Sequence, residues 1–297
     1  MKLISRNRKK WNETLTAYGF LLPNLVGLTL FIFVPMVYAF YVSLHEWNAL
    51  SPKVFIGLEN YKELAADGRW WASVGRTFIF TFIYVPALYC LALFFAVILN
   101  GLKQKYQSIA RTMFLFPFAI TSVISAVVWM FLYDPRNGFI NQVLNAFGLP
   151  SLEFLGSTDL ALVSIVVVFL WINLGYNMII FMASIKEIPQ DYYEAARIDG
   201  ATPWKSFRFI TFPLLKGTST FILIVTTIAS FTVFDQIMVM TNGGPASSTE
   251  VSVIYIYKQG FEFLNMGYAS ALAVVLFLII FVLSLAQLRL YTGKKEG

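Results

Sequence analysis

The stretch that decides the reading runs Glu187-Ile-Pro-Gln-Asp-Tyr-Tyr-Glu-Ala-Ala-Arg-Ile-Asp-Gly-Ala-Thr-Pro-Trp-Lys205. It is a charged interlude between two long apolar runs. Pro189 suits a first helical turn, where its missing N–H costs nothing. Asp191 and Glu194 follow, near the helix start that favours acids, and Arg197 sits near the end that favours cations. Gly200 supplies a left-handed stop. Thr202 and Pro203 restart the chain as N-cap and first helical residue. Lys205 and Arg208 come next, and Pro213 leads into the following run. The pattern predicts a short helix, a tight turn and a second helix.

Outward from this stretch the chain is apolar. Of 297 residues, 58% are hydrophobic and 13% charged, with a mean hydropathy of +0.69. A soluble domain carries about 25% charged residues, so this chain could not cover its surface with polar groups. Charge-free runs cover 14–44, 77–102, 112–133, 160–185, 217–234 and 263–288. A helix needs roughly 20 apolar residues to cross the hydrocarbon core. All six runs meet this or nearly do, and the fifth continues to Met240 beyond Asp235. The expected fold is an all-α membrane protein of six helices, with a domain over 17–290 between tails at 1–16 and 291–297. A transmembrane barrel is disfavoured, because stretches such as Leu272-Ala-Val-Val-Leu-Phe-Leu-Ile-Ile-Phe281 do not alternate. The first run exceeds the roughly 7–15 residues of a signal-peptide core, so it reads as an uncleaved helix.

Of the 22 Lys and Arg residues, 16 fall in segments on the N-terminal side of a six-span arrangement and six on the other. The positive-inside rule then puts both termini in the cytoplasm. The net charge of +6 is explained by that face and calls for no nucleic acid. The single cysteine, Cys90, excludes an intrachain disulfide and reads as a small packing residue. His45 is the only histidine, so no Cys/His metal cluster exists. On the outer side, residues 139–147 look helical after the turn Asp134-Pro-Arg-Asn-Gly138. The sequence Thr241-Asn-Gly-Gly-Pro245 is a helix stop.

The stretch at 187–205 carries four acids, Glu187, Asp191, Glu194 and Asp199, on the basic side. A lipid-lying helix would carry a basic polar face with bulky apolar residues opposite. Here Ala195, Ala196, Gly200 and Ala201 are small, which suits close seating in a groove of another protein. The physics favours partner docking.

At these residues the chain resembles a family. Glu194-Ala-Ala196, Asp199-Gly-Ala201 and Ile210-Thr-Phe-Pro-Leu214 are similar to the EAA signature of bacterial ABC importer permeases. Further matches are Phe55-Ile-Gly-Leu-Glu-Asn-Tyr61, Phe234-Asp-Gln, the Gly-Gly-Pro element at 241–245 and Met266-Gly-Tyr-Ala-Ser-Ala271. These resemble the carbohydrate branch, of the maltose/glycerol-phosphate type. The chain departs from the maltose permease, which adds N-terminal spans and a large periplasmic domain. The resemblance implies the type I importer fold in a bacterial or archaeal cell membrane. It implies a coupling helix within the loop 186–216, with Tyr193, Glu194, Ala195, Ala196, Asp199, Gly200 and Ala201 meeting an ATPase. Expected partners are two ATPase subunits holding ATP and Mg, a second homologous permease, an extracytoplasmic solute-binding protein and membrane lipid. The cargo would be a carbohydrate. This chain binds no cofactor on that reading. It has no Gly-x-x-x-x-Gly-Lys-[Ser/Thr] phosphate loop.

Sugar recognition needs amides and hydroxyls beside aromatic faces. In Trp171-Ile-Asn-Leu-Gly-Tyr-Asn177, the side chains of Asn173, Tyr176 and Asn177 are spaced to share a helix face. Matching to the maltose permease places Asn173 and Tyr176 on substrate-lining positions, with Thr226, Ala229 and Ser230 on the fifth span. Ser122 and Ser125 are further candidates on the third. Small polar residues also join membrane helices to one another, which is the competing reading for each. Asp235 reads as lying near the outer end of its span rather than in a proton relay. An ion-coupled secondary transporter is the alternative function; its usual repeats and midplane charges are little in view. No catalytic cluster supports a membrane enzyme.

Overall fold

The computed structural model of the chain describes residues 16–292. The expected basic tail and most of the C-terminal tail lie outside the described residues. Two compact units are present, one of residues 16–66 with 258–275, the other of residues 67–257 with 276–292.

The first unit begins with α1, Thr16–Val42, which contains a π-helical turn at Thr29–Phe33. A two-stranded antiparallel ribbon follows, β1 His45–Glu46 and β2 Val54–Phe55, with His45 opposite Phe55. Helix α2, Glu59–Ala66, carries buried Asn60 and Leu64. The Asn60 amide donates to the Ser43 and His45 carbonyls at 2.8 and 3.1 Å. This ties α2 to the ribbon and accounts for the Leu-Glu-Asn-Tyr element. The N–H of Gly267 donates to the Trp47 carbonyl at 3.1 Å. Any side chain at 267 would overlap the His45 carbonyl, so close backbone approach explains the Met-Gly-Tyr element.

The second unit is built on two long helices, α3 Gly68–Asn100 and α7 Ala161–Glu187. Asp67 caps α3, accepting from the Arg69 and Trp70 N–H groups. Helices α4 (Gln104–Ala119), α5 (Ser122–Leu132) and α6 (Phe139–Ala146) come between them. The pieces of the charged loop follow α7. Then come α10 (Lys216–Phe231), α11 (Asp235–Met240) and α12 (Ser252–Tyr257). The last helix, α13, Met266–Thr292, runs through both units. Two apolar clusters fill the second unit. Phe80, Tyr84, Phe169 and Ile237 centre one. Ala92, Ala96, Phe181 and Met182 centre the other.

Among the described residues, five helices are long and apolar enough to cross a membrane: Thr16–Val42, Gly68–Asn100, Ala161–Glu187, Lys216–Met240 and Met266–Leu290. The span expected at 112–133 is not one helix. It is α4 and α5, bent by 98°. Pro117 lacks the N–H that would bond the Met113 carbonyl, and Ile120 and Thr121 are extended. The fifth span also breaks, over 232–234, and Asp235 stands exposed in the first turn of α11, where the helix dipole favours an acid. Cys90 corrects another expectation. It faces outward from α3, because the positions of α3 that turn inward are Leu88, Ala92, Leu93 and Ala96.

One buried ion pair joins residues 181 positions apart. Arg69 donates from Nε and Nη2 to the two Glu250 oxygens at 2.9 and 2.8 Å. The Glu250 side chain is fully buried and that of Arg69 half-exposed. The Tyr255 hydroxyl donates to Asp67 at 2.6 Å, and Thr77 pairs with Ser252. Together they fasten the segment after Gly-Gly-Pro to the start of α3. Arg69→Ala would leave a buried carboxylate without its cation, an expected loss of about 3 kcal/mol. Arg69→Met with Glu250→Leu should recover most of it. Thermal unfolding in detergent reads both, and an unchanged Arg69→Ala midpoint would remove the pair's structural role.

Candidate functional site

The loop between α7 and α10 folds as its caps direct. Helix α8, Gln190–Ile198, starts after Pro189, which stands at the N-cap, one residue before the first turn. Asp191 occupies the first turn and Arg197 the last. Gly200 has φ +75. The Ala201 N–H donates to the Ala196 carbonyl at 2.8 Å, and the Gly200 N–H to Arg197 at 3.1 Å. This is a Schellman stop, and it satisfies carbonyls the helix end leaves open. Thr202 then caps α9, Pro203–Ser206, accepting from the Lys205 N–H at 3.4 Å. A π-helical turn, Phe207–Thr211, and Phe212–Leu214 carry the chain to α10.

Burial sorts the loop residues. Glu194, Ala195, Asp199 and Gly200 are exposed, while Tyr193, Ala196 and Ala201 are half-buried. The Tyr193 hydroxyl lies 2.9 Å from Thr211 Oγ1, so α8 is tied to the segment that enters α10. Among the described residues none of the four loop acids forms an ion pair. Ile198 is 86% exposed beside them. Single exposed apolar side chains are ordinary on a protein surface; its place at the tip of a charged turn makes Ile198 a candidate contact. Sequence reasoning missed Ile198, although a lone isoleucine between Arg197 and Asp199 was a visible signal.

Gln107 was also missed. It is buried, and its amide donates to the Asn100 and Leu102 carbonyls at 3.1 and 2.9 Å. Its oxygen accepts from Lys186 at 3.1 Å and Arg111 at 3.2 Å. One side chain thereby joins the ends of α3 and α7 to the start of α4. The loop is mounted on a braced frame.

The polar candidates separate. Asn173 is half-buried and donates to the Phe169 carbonyl at 2.8 Å. Asn177 is buried and donates to Asn173 at 2.9 Å. Tyr176 is exposed, its ring stacked on Phe118 at 4.8 Å. Neighbouring helix positions lie about 100° apart, so Tyr176 points out while Asn177 points in. Thr226 and Ser230 are buried. Thr226 bonds the Ile222 carbonyl, and Ser230 bonds Thr227 and the Thr81 hydroxyl at 2.7 and 2.8 Å. In this conformation Ser230 joins α10 to α3, as interhelical polar residues do, while Thr226 bonds back within α10. Ala229 packs half-buried against the core. Ser122 is half-buried at the start of α5, and Ser125 is buried with no hydrogen-bond partner among the described residues.

Residues 64–295 match the family of binding-protein-dependent transport system inner membrane components. The chain belongs to this family. Its relatives extend over nearly the full length. Probable ABC transporter permease protein YurN of Bacillus subtilis (strain 168) is 37% identical, over 94% of this chain and 97% of its own. The trehalose/maltose transport system permease protein MalF of Thermococcus litoralis is 33% identical, over 98% of both chains. Among solved structures, a chain of a bacterial alginate ABC transporter, in complex with its alginate pentasaccharide-bound periplasmic protein, superposes with a TM-score of 0.85. It shares 21% identity and covers 97% of this family member. The fold is therefore that of ABC importer membrane subunits. Membership sets aside the ion-coupled alternative.

Proposed function

We propose that the chain is a permease subunit of an ATP-driven importer that moves a carbohydrate across the cell membrane. The observation that carries this reading is the 33% identity over 98% of the chain to a trehalose/maltose permease. A di- or oligosaccharide delivered by an extracytoplasmic binding protein is the cargo class. The membrane is that of a bacterium or archaeon. Both termini face the cytoplasm, which the Lys/Arg distribution supports. ATP and Mg belong to two separate ATPase subunits, and a second, homologous permease completes the pathway.

Helix α8 is the coupling helix on this reading. Ile198 and the unpaired-charge surface of Glu194 and Asp199 meet the ATPase, and the Tyr193–Thr211 bond passes its movement to α10. Two discrete loop positions, each biased by nucleotide, are all that such coupling requires. The exposed Tyr176 ring beside Asn173 is the part of the substrate path that offers both an aromatic face and an amide. Asn177, Thr226 and Ser230 reach cargo only if α7, α10 and α3 shift, so they stand as candidates for the other state of the cycle.

The test is uptake into proteoliposomes holding the complete transporter. Sugar accumulation should follow internal ATP and ignore an imposed proton or sodium gradient. Accumulation driven by the gradient alone would defeat the reading. In the same assay, Asn173→Ala with Tyr176→Phe should lower uptake about tenfold or change sugar preference, with ATPase docking intact. One lost hydrogen bond to a bound hydroxyl is worth roughly that much. Unchanged uptake across a sugar panel would remove these residues from the path.

A further inference from the structure

Between the coupling loop and the end of α3 lies a cavity of about 470 Å³. Its polar wall holds Asn100, Tyr193, Arg197, Ser206 and Thr211. A second cavity of about 510 Å³ runs along α3 past Tyr89, Cys90, Leu93 and Phe94, with Trp204 and Phe212 opposite. Val97, Pro203 and Phe207 belong to both walls, so the two are neighbours across those residues. Each is of the size that holds a ligand, roughly 300–1,000 Å³.

We propose that these cavities together seat one anionic phospholipid of the Lys/Arg-rich leaflet, its phosphate at Arg197 and an acyl chain along α3. The proposal rests on reading the chain as a membrane subunit with that side cytoplasmic. Three features select this occupant. The groove follows a membrane-spanning helix, where acyl chains are the solvent, and its wall is aromatic and aliphatic. Trp204, 68% exposed, lies tilted against Phe207 at 5.5 Å, and tryptophan favours the headgroup level. Charge is the third feature. Arg197 is the charged side chain on either wall, and none of the loop acids joins it there. A guanidinium forks onto a phosphate. A second cation, Arg208, lies over the Phe212 ring at 5.9 Å. Tyr193 and Thr211 are bonded to each other, so the headgroup would sit against that bonded pair. A lipid here braces the coupling loop against α3 and makes transport responsive to the charge of the leaflet.

The experiment uses the complete transporter in proteoliposomes of phosphatidylcholine with a minor share of phosphatidylglycerol. Each headgroup is supplied in turn with a photoactivatable acyl chain, and cross-links are mapped by mass spectrometry. The phosphatidylglycerol probe should label residues 89–98 and 204–212 about fivefold more than the phosphatidylcholine probe, the preference one basic residue confers at an anionic surface. Arg197→Gln should bring the two to parity without changing phosphatidylcholine labelling. Val97→Trp, which fills the shared wall, should remove labelling by both. Equal labelling of the wild type, or a preference that survives Arg197→Gln, overturns the site. So does absence of any labelling, which would mean that a protein subunit covers the groove. Normal ATP-driven sugar uptake in the same vesicles alongside any of those results overturns the lipid site alone and leaves the transport reading standing.

Discussion

Gly175→Ala is expected to prevent α4 and α7 from packing as they do. A Cβ at this position would overlap the Phe114 carbonyl and stand 2.8 Å from the Leu115 nitrogen. The obstruction is backbone on both sides, so no rotamer change can relieve it. Overpacking against movable side chains costs about 1–3 kcal/mol. Here the helices themselves must separate, and about 3 kcal/mol or more is expected. The second apolar cluster, with Phe114 packed at its margin, would open with them. Gly217→Ala is the matched control. It lies in the first turn of α10 with nothing within 4 Å of its added carbon. It should be neutral or stabilising by up to about 1 kcal/mol, since alanine is the better helix former. Thermal unfolding in detergent separates the two, and equal midpoints would show that α4 and α7 tolerate a wider spacing.

The second large effect concerns transport rather than folding. Gly200→Val should abolish ATP-driven uptake while the chain still inserts and assembles. Nothing lies within 4 Å of an added Cβ at Gly200, so the penalty is purely conformational. A φ of +75 costs an ordinary L-residue roughly 1–2 kcal/mol, and a β-branched one more. The helix stop would be lost, and Asp199 and Ala201 would leave the positions from which, on the proposed reading, they meet the ATPase. Gly200→Asn should keep most uptake, because asparagine tolerates the left-handed region. Wild-type uptake by the valine variant, or equal loss in both variants, would remove the turn from the coupling path.

The loop was legible in the sequence because its signals are local. Gly200 and Pro203 act through their own backbone and Thr202 through a hydroxyl that caps the next turn, and each stands within a residue of where its chemistry places it. The five long spans were legible for a similar reason, since length and apolarity suffice. The broken third span was not. A run without charges reports what lipid tolerates, not where the hydrogen-bond ladder stops, and only Pro117 hinted at the break. The inward face of α3 was illegible too, because a helix that is apolar all round gives no moment to read. Hence Cys90 points outward. The Arg69–Glu250 pair and the Gly175 contact join segments far apart in sequence, and one sequence carries no record of such meetings. Asn173, Tyr176 and Asn177 read from their spacing as sharing one helix face, but Tyr176 is exposed and Asn177 buried. Adjacent positions diverge by about 100°, and spacing does not say which side the core occupies.

The burial of Glu250 has a consequence for how the chain is made. Synthesis runs from the N-terminus, so Arg69 is in place at the membrane long before residue 250 leaves the ribosome. Without that cation the Glu250 carboxyl would have to give up its charge to enter a dry site. The segment after Gly-Gly-Pro is therefore expected to dock late, as a latch closing on a helix already in place, so that this end of the second unit is finished only once nearly the whole chain has been made.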